Sequence, residues 1–141
     1  AQTTKYKCMI QMQNYSGKEA YVIVSLMNPK GEYEKTLAVL GPDQEWYNTL
    51  PEWDKFRTKK KEKLNGVTGA SVAGGARASR LLEFESNKLD KGYKLRFESA
   101  VETQKYHVKD AEVVLSTDVL SNKSGVQGTG YIRNIRFTKV Q

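Results

Sequence analysis

Tyr6-Lys7-Cys8-Met9-Ile10-Gln11-Met12-Gln13 is the stretch that decides the fold class. Tyr6, Cys8, Ile10 and Met12 fall on one side of an extended chain, and Lys5, Lys7, Gln11 and Gln13 supply much of the other. A period of two marks a half-buried β-strand. Residues 20–27 read as a more buried strand, stopped at Asn28-Pro29-Lys30-Gly31, which has tight-turn chemistry. Residues 33–40 form a third, ended by Gly41-Pro42-Asp43. Together these three predict a meander. Further strands are expected over 79–85, 93–101, 111–117 and 131–140, with a hairpin-like connection at 87–92. In the stretch 93–101, Tyr93, Leu95, Phe97 and Ser99 alternate with Lys94, Arg96 and Glu98.

One segment breaks this pattern. Trp46, Leu50, Trp53 and Phe56 recur at spacings of four and three, which is helical. Pro51 suits a first helical turn and Thr49 a cap, so a helix is predicted over 49–63. Its end is basic, at Lys55, Arg57, Lys59, Lys60, Lys61 and Lys63, which is favourable against the helix dipole. About seven short strands with one inserted helix predict a single domain over 1–141, an antiparallel β-sandwich of immunoglobulin-like type.

Composition narrows the function classes. The chain has 141 residues, 38% hydrophobic and 28% charged, too apolar for disorder and long enough for one core. No apolar run approaches the roughly 20 residues of a membrane helix. The net charge of +7 favours anionic partners. The single cysteine, Cys8, excludes an internal disulfide framework and reads as a buried strand residue. The opening Ala1-Gln2-Thr3-Thr4, without an initiator Met, matches what signal-peptidase cleavage leaves, and predicts a mature exported protein. His107 is the only histidine and lacks a carboxylate at motif spacing, so it reads as surface or structural. No nucleophile elbow, phosphate loop or metal-ligand spacing is present, and the chain is not expected to be an enzyme. The basic run at 55–63, near Trp46, Tyr47 and Trp53, reads as a solvated helix face rather than a nucleic-acid patch.

The remaining signal is Asn65-Gly66-Val67-Thr68-Gly69-Ala70-Ser71, followed by Val72-Ala73-Gly74-Gly75. A hydroxyl sits there among small residues, in a predicted surface loop whose backbone is free to bend toward a partner. The pattern resembles the flavinylation motif of bacterial extracytoplasmic flavoproteins, Asp-x-x-Ser/Thr-Gly-Ala-Ser/Thr. More widely, the chain resembles a bacterial family of predicted periplasmic proteins of unknown function, often encoded near PepSY-type membrane proteins and flavin transferases. The matching residues include Tyr33-Glu34-Lys35-Thr36-Leu37, Trp46, Leu50, Trp53, Gly74 and Gly92-Tyr93-Lys94-Leu95-Arg96-Phe97-Glu98.

This resemblance implies FMN coupled through its phosphate to Ser71, with Thr68, Gly69 and Ala70 filling the preceding motif positions. Asn65 stands where the motif has Asp, and Asn65-Gly66 is a deamidation-prone dipeptide that would yield Asp. Trp53, Trp46 or Tyr47 would stack on the flavin, and Lys59 to Lys63 would neutralise its phosphate. The implied partners are a flavin transferase and a membrane redox protein. The alternative is a cofactor-free sandwich whose basic face docks an acidic protein or the membrane surface.

Overall fold

The computed structural model describes residues 2–41, 44–61, 68–101, 106–122 and 124–140. Its strands are β1 (Thr3–Met12), β2 (Ala20–Met27), β3 (Tyr33–Leu40), β4 (Thr68–Gly69), β5 (Arg77–Glu85), β6 (Lys94–Val101), β7 (Tyr106–Val114), β8 (Val126–Gln127) and β9 (Ile132–Val140). Helix α1 (Pro51–Lys60) lies between β3 and β4, and the single turn α2 (Thr117–Leu120) between β7 and β8. Two of the nine strands, β4 and β8, have two residues each, which leaves the seven of expected length. They form two sheets, β5-β1-β9-β8 and β4-β3-β2-β6-β7. The all-β sandwich is therefore observed, antiparallel except where β4 runs parallel to β3.

Alternation decides which side chains fill the space between the sheets. Tyr6, Cys8, Ile10 and Met12 are all buried there, opposite Val22, Val24, Leu26, Leu95 and Phe97. Burial pushes the Cys8 thiol well above its ordinary pKa, so it packs as a small apolar group. Sheet β4-β3-β2-β6-β7 also buries its outer face. The 3-10 turn Gln44–Thr49 and α1 cover it, forming a second cluster of Ile23, Val39, Tyr47, Leu50, Trp53 and Ala100.

Several pairings differ from expectation. The first three strands are not a meander: β1 pairs with β5 and β9, and only β2 and β3 form a hairpin. The connection at 87–92 is not a hairpin but a crossover from one sheet to the other. Alternation fixes which way a strand faces and says nothing of its neighbour. Helix α1 starts with Pro51 at its first turn, but its N-cap is Leu50 without a side-chain cap, not Thr49. It ends at Lys60, where Lys61 takes a left-handed φ of 55°, while Lys63 lies outside the described residues. The expected strand at 111–117 runs instead over Tyr106–Val114, stopping short because Thr117 opens α2 with Ser116 as its N-cap. Glu98, grouped with solvent-facing residues, is fully buried beneath the helical cover.

Candidate functional site

The segment around Ser71 is fastened at both ends. Thr68 and Gly69 pair in parallel with Val39 and Leu40 at the end of β3. Gly69 accepts from the Gly41 N–H at 2.8 Å. Three residues on, Val72 exchanges both backbone hydrogen bonds with Ala20, at 2.7 and 3.0 Å, and its side chain is buried. Beyond it, the Gly75 N–H donates to Gln13 and the Met12 N–H to Ala76. The small residues thus give close backbone approach rather than the free bending expected of them. At Gly69 an added Cβ would lie 2.1 Å from the Arg80 guanidinium, and at Gly74 it would lie 2.4 Å from the Tyr15 carbonyl.

Ser71 stands between these two fastenings, half-buried, beside exposed Ala70. Its hydroxyl donates to Glu19 Oε1 at 2.6 Å. A concavity of about 390 Å³ opens next to it, lined by Glu19, Leu40, Arg77, Arg80 and the chain from Ala70 to Ala73. This volume is within the range of ligand-holding clefts. Arg80 Nη1 reaches the Val39 carbonyl at 3.4 Å, and Arg77 Nε donates to Gln11 Oε1 at 2.5 Å. A hydroxyl held on a carboxylate can pass its proton to that carboxylate, and the Arg80 guanidinium beside Gly69 supplies a positive charge near a group attached there.

The other expected site residues lie elsewhere. Trp53 is fully buried and donates its indole N–H to Thr36 Oγ1 at 2.9 Å. Tyr47 packs edge-on against it at 5.0 Å and is equally closed. Neither ring presents a face for a surface flavin. The side chain of Trp46 and all of Asn65 lie outside the described residues. Lys60 donates to the Glu34 carbonyl near the start of β3, whereas Gly69 sits at its end. Six residues of strand separate Glu34 from Leu40, about 20 Å. Among the described residues Arg80, not Lys60, is the cation placed beside this segment. Sequence reading missed Glu19, Arg77 and Arg80. All three reach the site through pairings that periodicity does not reveal.

Elsewhere, His107 packs edge-on against Tyr131 at 4.9 Å, a structural contact. Among the described residues no three His, Cys, Asp or Glu side chains group as a metal site. No helix among them is long and apolar enough to cross a membrane.

The molecule is thus a two-sheet β-sandwich that presents a fastened serine at one sheet edge. The chain belongs to the family described as "Predicted periplasmic protein (DUF2271)", whose model matches residues 3–134. Membership agrees with the extracytoplasmic location implied by the sequence. No curated protein and no solved structure matches the chain significantly.

Proposed function

We propose that this chain is an extracytoplasmic electron carrier bearing FMN as a phosphoester on Ser71. A flavin transferase would attach the group, and a membrane redox protein would exchange electrons with it. The observation that carries this reading is the Ser71 hydroxyl itself, held at 2.6 Å on Glu19, with Arg80 lining the same concavity. Ser71 Oγ would attack the flavin-side phosphorus of a flavin dinucleotide supplied by the transferase; the Oγ–P bond forms as the pyrophosphate P–O bond breaks, the mononucleotide leaves, and Glu19 would take the hydroxyl proton. Arg80 would offset part of the phosphate charge, and the bridges at Gly69 and Val72 would hold the attachment point. When bound, FMN supplies one- or two-electron chemistry, and the protein supplies position and charge. On this reading the chain is a carrier and not itself an enzyme.

The test is co-expression with an exported flavin transferase, followed by intact-mass and absorbance measurement. One FMN phosphoester adduct and a yellow protein are expected, and Ser71→Ala removes both. No adduct with a transferase that modifies a control substrate would defeat the proposal.

A second reading rests on α1 and its C-cap, where Lys55, Lys59, Lys60 and Lys61 are all exposed. This is the cofactor-free module docking an acidic partner or the membrane surface. It predicts a colourless protein under the same co-expression and salt-sensitive docking.

A further inference from the structure

The outer face of sheet β5-β1-β9-β8 carries a second concavity, of about 430 Å³. It is lined by Arg77, Arg133, Arg136, Gln11, Asn134 and Met9. Three positive charges meet there without a carboxylate. Elsewhere Arg57 pairs with Asp54 at 2.7 Å and Arg96 with Glu112 at 3.0 Å. Among the described residues Arg133 and Arg136 make no ion pair, and Arg77 bonds the neutral Gln11 side chain.

A backbone irregularity builds this cluster. Arg133 and Arg136 are three apart, and strict alternation would place them on opposite faces. In β9 the register slips: Gln11 pairs with Asn134, but Met12 pairs with Ile132. Arg133 is the extra residue of a bulge, a feature that re-aims side chains. The slip lets Ile132 and Ile135 both enter the core while both arginines line the same concavity. Like charges brought together this way repel one another, and a bound dianion removes that repulsion.

We propose that this concavity is a binding site for the phosphate group of a soluble phosphorylated ligand. Guanidinium groups match phosphate oxygens bidentately, and a phosphate offers more acceptors to three arginines than a carboxylate does. The carboxamides of Gln11 and Asn134 add hydrogen-bonding capacity. On the same outer face Lys5 lies opposite Glu83 and Lys7 adds charge, so the vesicle arm of the experiment below separates a soluble phosphate from a lipid headgroup. Arg77 also borders the Ser71 concavity, but the site is built on Arg133 and Arg136 and needs no flavin.

The experiment is calorimetric titration of the unmodified protein with sodium pyrophosphate at low and high salt. We expect saturable binding that weakens with salt. The double variant Arg133→Gln/Arg136→Gln should bind at least about tenfold more weakly, having lost two charge-assisted contacts. Lys59→Gln/Lys60→Gln, on α1, should bind as the wild type does. Circular dichroism melts confirm that each variant is folded, and Arg136→Lys gives a milder replacement should the double variant not fold. Absence of pyrophosphate binding overturns the site, as does equal binding by the folded arginine variants. Binding to phosphatidylglycerol vesicles but not to pyrophosphate overturns the soluble ligand.

Discussion

Glu98→Gln isolates the cost of a carboxyl buried under the helical cover. Glu98 is fully buried and accepts from Tyr33 and Tyr106, each at 2.5 Å. Arg96 approaches the Tyr33 hydroxyl at 3.5 Å but is itself engaged by Glu112, and Glu52 adds a second negative charge nearby. Desolvation outweighs the two phenol donors and raises Glu98 from 4.5 to about 7. Both phenols are pushed above their ordinary range, by burial and by Glu98, and stay protonated. Because the folded pKa is the higher one, the folded state holds the proton more tightly. That contribution to stability is complete below about 4.5 and is lost as pH rises through about 7. The interval is worth about 3 kcal/mol, or roughly 10 °C in Tm for a domain of this size. Glutamine keeps the shape and does not ionise. Urea unfolding of both proteins from pH 4.5 to 8.5 is the assay. The stability difference between variant and wild type should move by about 3 kcal/mol in the variant's favour across that range. Any fixed effect of the amide cancels in this difference. Parallel pH profiles, or a wild type that gains on the variant as pH rises, would refute the reasoning.

Four further outcomes follow from named contacts. Asp110→Ala should cost about 3 kcal/mol or more in urea unfolding, because the buried carboxylate accepts from the N–H groups of Thr129, Gly130 and Ile132 at 2.8–3.0 Å. Gly41→Ala should cost about 1–3 kcal/mol in the same assay, since a Cβ there would lie 2.4 Å from the Tyr21 ring. Glu19→Gln should slow flavin attachment while leaving the melting curve near wild type, and Asn65→Asp should raise the modified fraction; intact-mass time courses measure both. Replacing Lys55, Lys59, Lys60 and Lys61 together by Gln should change stability by only a few tenths of a kcal/mol, and anionic-liposome binding at two ionic strengths shows whether those lysines dock a surface.

The sequence made some of this legible and left the rest closed, for physical reasons. Strand existence was readable because burial on one face imposes a period of two, which Tyr6, Cys8, Ile10 and Met12 keep, with Met9 the one apolar residue between them. The inserted helix was readable from Trp53 and its neighbours, and Pro51 marked its start. Pairing was not readable. Whether β1 lies beside β2 or beside β9 leaves its own alternation unchanged, so the expected meander had no internal check. Glu98 misled because its sheet is covered on both sides, and polarity ceases to report exposure where a helix supplies partners. The bulge in β9 was hidden similarly, since one extra residue reverses the phase of everything after it.

The hydroxyl motif illustrates the same division. On the proposed reading Thr68-Gly69-Ala70-Ser71 carries the modified hydroxyl, but the groups that would support it come from distant positions. Glu19 arrives because Ala20 bridges Val72, and Arg80 because β5 crosses the end of β3 closely enough to require glycine at 69. Each is placed by a backbone pairing rather than by a local pattern. The segment's small residues therefore serve contact more than freedom: Gly69 admits the Arg80 guanidinium, and Gly74 admits the Tyr15 carbonyl. A larger residue at either position would loosen the fastening before it touched the serine. The fastening of the segment around Ser71 and the approach of Arg80 to it thus depend on the same few glycines.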